Sequence, residues 1–206
     1  MTGPKIILHK GDLPAKVTFG KSVAIDTETL GLKTGRDRLC LVQLSAGDGS
    51  AHLVQLDGKD WSAPHLKALL EDPKVLKIFH YGRFDIAVLE TYLGVRVGPV
   101  WCTKIASKLV RTYTDRHGLK DLCSELLGIE LSKQQQSSDW AAAKLTQQQL
   151  AYAASDVLHL HRIRERLKNM LERDGRLELA QACFDFLPVR ARLDLAGFED
   201  MDVFSH

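Results

Sequence analysis

At 206 residues, with 45% hydrophobic and 26% charged side chains, the chain has room for one sizeable α/β domain and the composition of an ordinary soluble globular protein. A formal net charge of +2 is too mild to argue for nucleic-acid binding unless the placement of the charges does so. The four cysteines, Cys40, Cys102, Cys123 and Cys183, stand far apart with no CxxC pair, which argues against a zinc site or a disulfide framework and for reduced thiols in a cytoplasmic protein. Met1–Lys10 lacks the apolar core of a signal peptide, and no apolar run approaches the ~18 residues of a membrane span.

The run Ile6-Ile7-Leu8-His9 reads as a short first strand, closed by a loop with Gly11, Asp12 and Pro14. A strand over 22–28 follows, then a basic, turn-rich connection from Gly31 to Arg38. Leu39–Ser45 and Ala51–Leu56 are apolar runs joined through Asp48-Gly49, a hairpin signal. The first half therefore opens with an antiparallel meander of about three strands. Ser62 is placed to cap a helix reaching about Leu70, with Trp61 and Leu66 spaced as a hydrophobic staple. Val75–His80 then reads as a strand, Arg83–Leu93 as a helix ending at Gly94, Val97–Trp101 as a strand and Thr103–Val110 as a helix. Leu119, Leu122, Cys123, Leu126 and Leu127 share a helical face closed by Gly128. Residues 131–139 are polar and read as an exposed loop. Thr146 and Gln149 form a capping box at the head of a long helix carrying Leu150, Ala153, Ala154, Val157, Leu158 and Leu167 on its buried side. After Gly175 a further helix covers roughly 176–195, and 196–206 is a tail. The expected fold class is α/β: a mixed central sheet, antiparallel meander plus parallel strands, flanked by helices. The expected organisation is one domain over 1–206, with 176–206 packing on that domain or on a neighbouring subunit.

Chemistry concentrates in a few acids. Asp26 and Glu28 stand two apart at the end of the 22–28 strand, so both side chains point to one face. Like charges on one face repel, and hard divalent ions such as Mg²⁺ relieve that repulsion through carboxylate oxygens. The alternative is a strand that ends in a solvated acidic turn. Asp85 follows the 75–80 strand in the first turn of the next helix, where the helix dipole alone could account for it. Tyr152 and Asp156 lie at i and i+4 among small apolar residues, either as a hydrogen-bonded surface pair or as an acid needing a metal. Four carboxylates suffice for two ions roughly 3.5–4 Å apart, the arrangement for phosphoryl transfer.

Asp26-Thr27-Glu28, Phe84-Asp85 and Tyr152-Ala153-Ala154-Ser155-Asp156 resemble the three motifs of the DEDD superfamily of 3′→5′ exonucleases. The tyrosine four residues before the last aspartate resembles the tyrosine-type branch, which includes RNase D; the histidine-type branch would need histidine where Ala151 stands. Ser138-Asp139-Trp140, Leu145-Thr146 and Gln149-Leu150 are similar to the RNase D approach to the third motif. The resemblance spans roughly residues 20–165. It implies an RNase H-like fold, two Mg²⁺ or Mn²⁺ ions and hydrolysis from a 3′ end. Asp26, Glu28 and Asp156 would then hold one ion, Asp26 would bridge to a second near Asp85, and Tyr152 would position the attacking water. Cys102-Thr103, where many RNase D sequences have Asp-Thr, is a departure, as are the mere fifty or so residues after Asp156. The segments 102–107 and 111–120 and the tail Gly197-Phe198-Glu199-Asp200 are more similar to nanoRNase C-type proteins. That group implies very short RNA substrates, down to dinucleotides, and ring-shaped homo-octamers.

Lys104, Lys108, Arg111, Arg116 and Lys120 cluster with Tyr113 and His117, a pattern that fits either a single-strand groove or a solvated helix face. Leu30 is placed to touch a terminal base, and His80 or Arg83 to reach a phosphate. Phe198, Met201, Val203 and Phe204 are too apolar for a free tail and are expected to dock. The leading reading is an exoribonuclease acting on the 3′ ends of short single-stranded RNA. A nuclease for DNA or longer RNA, and a non-catalytic nucleic-acid-binding module, stand beside it.

Overall fold

The computed structural model describes residues 3–131 and 138–206, so most of the loop expected over 131–139 lies outside the described residues. The strands are β1 (Lys5–Lys10), β2 (Ser22–Thr29), β3 (Leu39–Ser45), β4 (Ser50–Gln55), β5 (Leu76–Phe79) and β6 (Val100–Cys102). They form one sheet in the order β1-β4-β3-β2-β5-β6. β2, β3 and β4 are the expected antiparallel meander, while β5 and β6 run parallel to β2. β1 adds to the outer edge of β4 in parallel, a pairing that its apolar run gave no means to foresee.

Burial follows the register. Val23, Ala24 and Ile25 in β2 are fully buried, as a strand with neighbours on both edges and helices on both faces requires. Val42 of β3 faces Val54 of β4 on the side of the main core, and Gln43 faces Leu53 on the other. That second face is covered by helix α5 (Gln147–Leu158), whose Leu150 and Ala153 meet Leu41, Leu53 and Trp140. The main core is closed by α1 (Pro64–Glu71), α2 (Arg83–Leu93), α3 (Thr103–Val110), α6 (Leu160–Arg173) and α7 (Leu177–Leu195). A short α4 (Leu119–Leu122) runs into a π-helical turn at Cys123–Leu127, which stops at Gly128 with φ +67°.

Three local expectations change. The start of α1 is not capped by Ser62. Its N-cap is Ala63, and the cap comes from the β1–β2 connection, where Asp12 accepts from the amides of His65 and Leu66 at 2.9 Å each. With the N-cap at Ala63, Trp61 and Leu66 no longer hold the two staple positions, and Trp61 packs on the ring of Tyr92, 4.9 Å away. The long helix expected after Thr146 breaks at His159, whose φ of −108° and ψ of −7° separate α5 from α6. Its expected capping box is present in full, with Thr146 and Gln149 bonded reciprocally. The tail turns back on α7: Arg190 Nη2 donates to the carbonyls of Phe198 and Glu199 at 3.2 and 2.8 Å, and Phe204 lies 5.8 Å from Phe186. Even so, Phe198, Met201, Val203 and Phe204 remain 39–77% exposed.

The remote cap makes a measurable distinction. Asp12→Ala should lower unfolding free energy in urea by about 1 kcal/mol, because two first-turn amides lose their acceptor. Ser62→Ala should stay within about 0.5 kcal/mol of the parent. Equal losses in both variants would show that the cap is wrongly assigned.

Candidate active site

The candidate site grows from the carboxyl-terminal end of β2. Asp26 pairs across with Gln43, and Glu28 with Leu41, so both acids share the face that α5 covers. The register slips between Glu28 and Thr29, a bulge that ends regular pairing where the acids stand. α5 crosses that face and presents Tyr152 and Asp156 one turn apart. Carboxylate oxygens of Asp26, Glu28 and Asp156 all come within 4.8 Å of one another.

Asp85 arrives from the other side of the sheet. It sits buried in the first turn of α2, and the hydroxyl of Thr27 donates to its Oδ1 at 2.6 Å. Thr27 alternates with Asp26 and Glu28, so it points toward α2 and holds the fourth acid at the same edge. Gln43 was not among the expected site residues. Its amide Nε2 donates to Asp26 Oδ2 at 3.4 Å, and its own Oε1 is buried without a partner. The signal for it was a buried amide in an otherwise apolar strand directly opposite Asp26.

These acids hold protons far above the usual carboxylate range. Burial, then the charges of Asp85, Asp156 and Glu28, raises Asp26. Burial, then Asp156 and Asp85, raises Glu28 to about 9. Burial raises Asp85 to about 7 against the opposing Thr27 hydrogen bond, and burial with Asp85 raises Asp156 to about 7. Among the described residues no lysine or arginine forms an ion pair with any of the four. An all-carboxylate, cation-poor cluster fits hard divalent ions such as Mg²⁺ or Mn²⁺. Tyr152 is raised by burial and by the nearby acids, so its phenol keeps its proton.

The expected substrate contacts divide. Leu30 is 52% exposed just beyond β2, free to touch a base. Lys104 stands at the head of α3 with its Nζ 3.9 Å from the centroid of the Tyr81 ring. His80 is held neutral in the protein alone: burial and then Lys104 lower it to about 3. Its Nδ1 lies 2.8 Å from Thr103 Oγ1, and that hydroxyl donates to the Phe79 carbonyl at 3.2 Å. Both bonds form only if His80 Nδ1–H is the donor, which leaves Nε2 as an acceptor. Arg83 is spent on Asp194 of α7, with bonds of 2.5 and 2.7 Å, and on the Glu199 carbonyl. Arg111 is 0% exposed and is bonded to Ser107, the Arg116 carbonyl and Glu125. Arg116 is exposed but pairs with Asp121 at 2.9 Å. Arg83, partly exposed, and Arg111, fully buried, are therefore struts of the fold, although the buried Nε of Arg111 has no partner of its own.

A carboxylate cluster at the carboxyl edge of a mixed sheet, with a protonated tyrosine on the same helix face, is the equipment of a metal-dependent phosphodiesterase. A sequence profile of the 3′-5′ exonuclease family matches residues 11–172, and the chain belongs to that family. Within it the similarity runs to ribonuclease D and to the nuclease NrnC. Ribonuclease D of Gluconacetobacter diazotrophicus is 36% identical over 156 residues, covering 76% of this chain and 39% of that protein. The chain thus spans about 40% of the length of the curated relatives it matches. NrnC of Brucella melitensis is 58% identical with a TM-score of 0.95, covering 98% of each chain. The same nuclease solved with pGG matches at 56% identity and TM-score 0.96, covering 99% of this chain and 100% of that one, and another of its structures holds Mg²⁺. The expected mixed-sheet, RNase H-like architecture is what these neighbours share.

The charge crowding has a pH signature. Acids whose folded values lie above their ordinary values of about 4 bind extra protons in the folded state, so stability falls as pH rises. The window runs from about 4 up to the folded values of about 7 for Asp85 and Asp156 and about 9 for Glu28. Metal-free protein should therefore melt lower at pH 8 than at pH 5.5, and millimolar Mg²⁺ should recover the difference. Asp156→Asn should melt higher than wild type without metal at pH 8 and respond less to Mg²⁺. A variant that melts lower, or a wild type indifferent to Mg²⁺, would contradict the cluster.

Proposed function

We propose that the chain is a 3′→5′ exoribonuclease that hydrolyses short oligoribonucleotides, dinucleotides included, to 5′-mononucleotides. In this reading Asp26, Glu28 and Asp156 hold one divalent ion, and Asp26 with Asp85 holds a second. Bound there, Mg²⁺ or Mn²⁺ would supply a nucleophilic water at neutral pH and relieve charge on the departing oxygen. The remaining work falls to the chain. Thr27 fixes the carboxylate of Asp85, and Gln43 restrains that of Asp26, so neither must reorganise when substrate arrives. Tyr152, kept protonated, orients water by hydrogen bonding and does not act as a base. Leu30 meets the terminal base, and Lys104 offers charge to a phosphate.

The observation that carries the reading is the three-carboxylate cluster, with Tyr152 beside it, in a chain that matches a pGG-bound nuclease along nearly its whole length. A second reading, action on longer RNA or DNA ends, is favoured by the likeness to ribonuclease D. A merely binding module is disfavoured, since binding has no need of all five residues. We also propose a cytoplasmic homo-oligomer, a ring-shaped octamer; the apolar tail left partly exposed supports self-association. Among the described residues no helix is long and apolar enough to cross a membrane.

The test is a size ladder of 5′-labelled RNA and DNA incubated with purified protein and Mg²⁺, alongside mass measurement in solution. Turnover should rise toward the dinucleotide and release 5′-mononucleotides from the 3′ end. No hydrolysis with Mg²⁺ or Mn²⁺ would end the enzyme reading, and preference for long structured RNA would favour the second. Tyr152→Phe should lose roughly 10²–10⁴-fold in kcat while keeping its Mg²⁺-dependent melting shift. Asp26→Ala should lose turnover and keep its fold; retained turnover would refute the site.

A further inference from the structure

We infer that Tyr81 is a stacking residue for a substrate nucleobase, with Lys104 beside it as the companion for a phosphate; this rests on the nuclease reading above. The first support is place. β2, β5 and β6 are parallel, so their carboxyl ends reach one edge of the sheet, where ligands of such sheets collect. Tyr81 lies two residues past the end of β5 and four before Asp85, and Lys104 is the second residue of α3, directly after β6. The two turns meet at that edge, as the His80–Thr103 hydrogen bond shows.

The second support is conformation. Tyr81 has φ +64°, and among the described residues only Ala63 is another non-glycine residue at positive φ. The next position is tightly packed. A Cβ at Gly82 would come within 2.6 Å of the Phe79 side chain, so the chain reverses here with no room to spare. Glycine would meet the demand at position 81 without strain, and a bulky aromatic does not. Burial gives no compensation, because Tyr81 remains 50% exposed. A strained residue whose ring is held out to solvent beside a candidate active site points to a role outside folding.

The third support is chemistry. The Lys104 ammonium lies 3.9 Å from the ring centroid, a cation–π contact that steadies both groups. The ammonium covers one face of the ring, so a base would stack on the opposite face, and the pair would match one nucleotide: a base to stack and a phosphate to neutralise. Every base has a π face, so this contact selects single-stranded nucleic acid rather than sequence.

The experiment compares wild type, Tyr81→Gly and Tyr81→Phe on a 5′-phosphorylated RNA dinucleotide carrying 2-aminopurine, with steady-state kinetics, fluorescence on binding, thermal melting and mass in solution. Tyr81→Gly should melt at or above wild type, because strain is relieved. Its KM should rise about tenfold with kcat within about twofold, and quenching of 2-aminopurine should weaken. Tyr81→Phe should match wild type in all of these. Wild-type KM and quenching in Tyr81→Gly would overturn the inference. So would a loss of assembly mass at unchanged KM, which would make the ring a contact between copies. Wild-type turnover tests the nuclease reading separately: without it that reading falls, and quenching of 2-aminopurine in the bound dinucleotide alone then decides the role of Tyr81.

Discussion

Four carboxylates converge on one edge of the sheet, and among the described residues no lysine or arginine forms an ion pair with them. Everything else about the site follows from that repulsion. The acids are drawn from β2, α2 and α5, and the surrounding fold must hold them together against their mutual field. Two such acids on one loop could swing apart; anchored on rigid elements they cannot. The protein alone answers the repulsion by holding protons, and a divalent ion would answer it by coordination.

The mixed sheet makes this convergence possible. Antiparallel pairing of β2 with β3 sets Gln43 opposite Asp26, while parallel pairing with β5 brings the head of α2 to the same edge. Acids therefore reach the site from both faces: Asp26, Glu28 and Asp156 on the α5 side, Asp85 around the edge through Thr27. The capping box at Thr146 fixes where α5 begins, and so the height at which Tyr152 and Asp156 cross the sheet.

Charge elsewhere is used in two ways. Arg83 and Arg111 turn inward and tie helices to loops, Arg83 across to Asp194 and Arg111 to Glu125. Lys104 and Arg116 stay near the surface, and of these Lys104 stands at the carboxylate edge. A basic stretch in sequence is thus divided by the fold into support and surface, and the capacity to bind a strand is smaller than the count of basic residues suggests.

Much of this was legible in the sequence. Period-two alternation put Asp26 and Glu28 on one face, the i, i+4 spacing did the same for Tyr152 and Asp156, and the element boundaries of α2 and α3 followed from glycine and apolar patterning. Local rules suffice there because the neighbours that matter are close in the chain. They failed where the partner is distant. Asp12 caps a helix more than fifty residues away, displacing the nearer Ser62. Gln43 gains its place beside Asp26 only through cross-strand register. Arg83 and Arg111 look like phosphate binders until Asp194 and Glu125 are brought to them. Tyr81 looked unremarkable until its backbone proved to be left-handed. The sequence by itself determined which residues could do chemistry and which face each would occupy. Only the tertiary structure decided which acids meet, which charges are already satisfied and which stay open to a strand, because those depend on pairings that residue spacing does not encode.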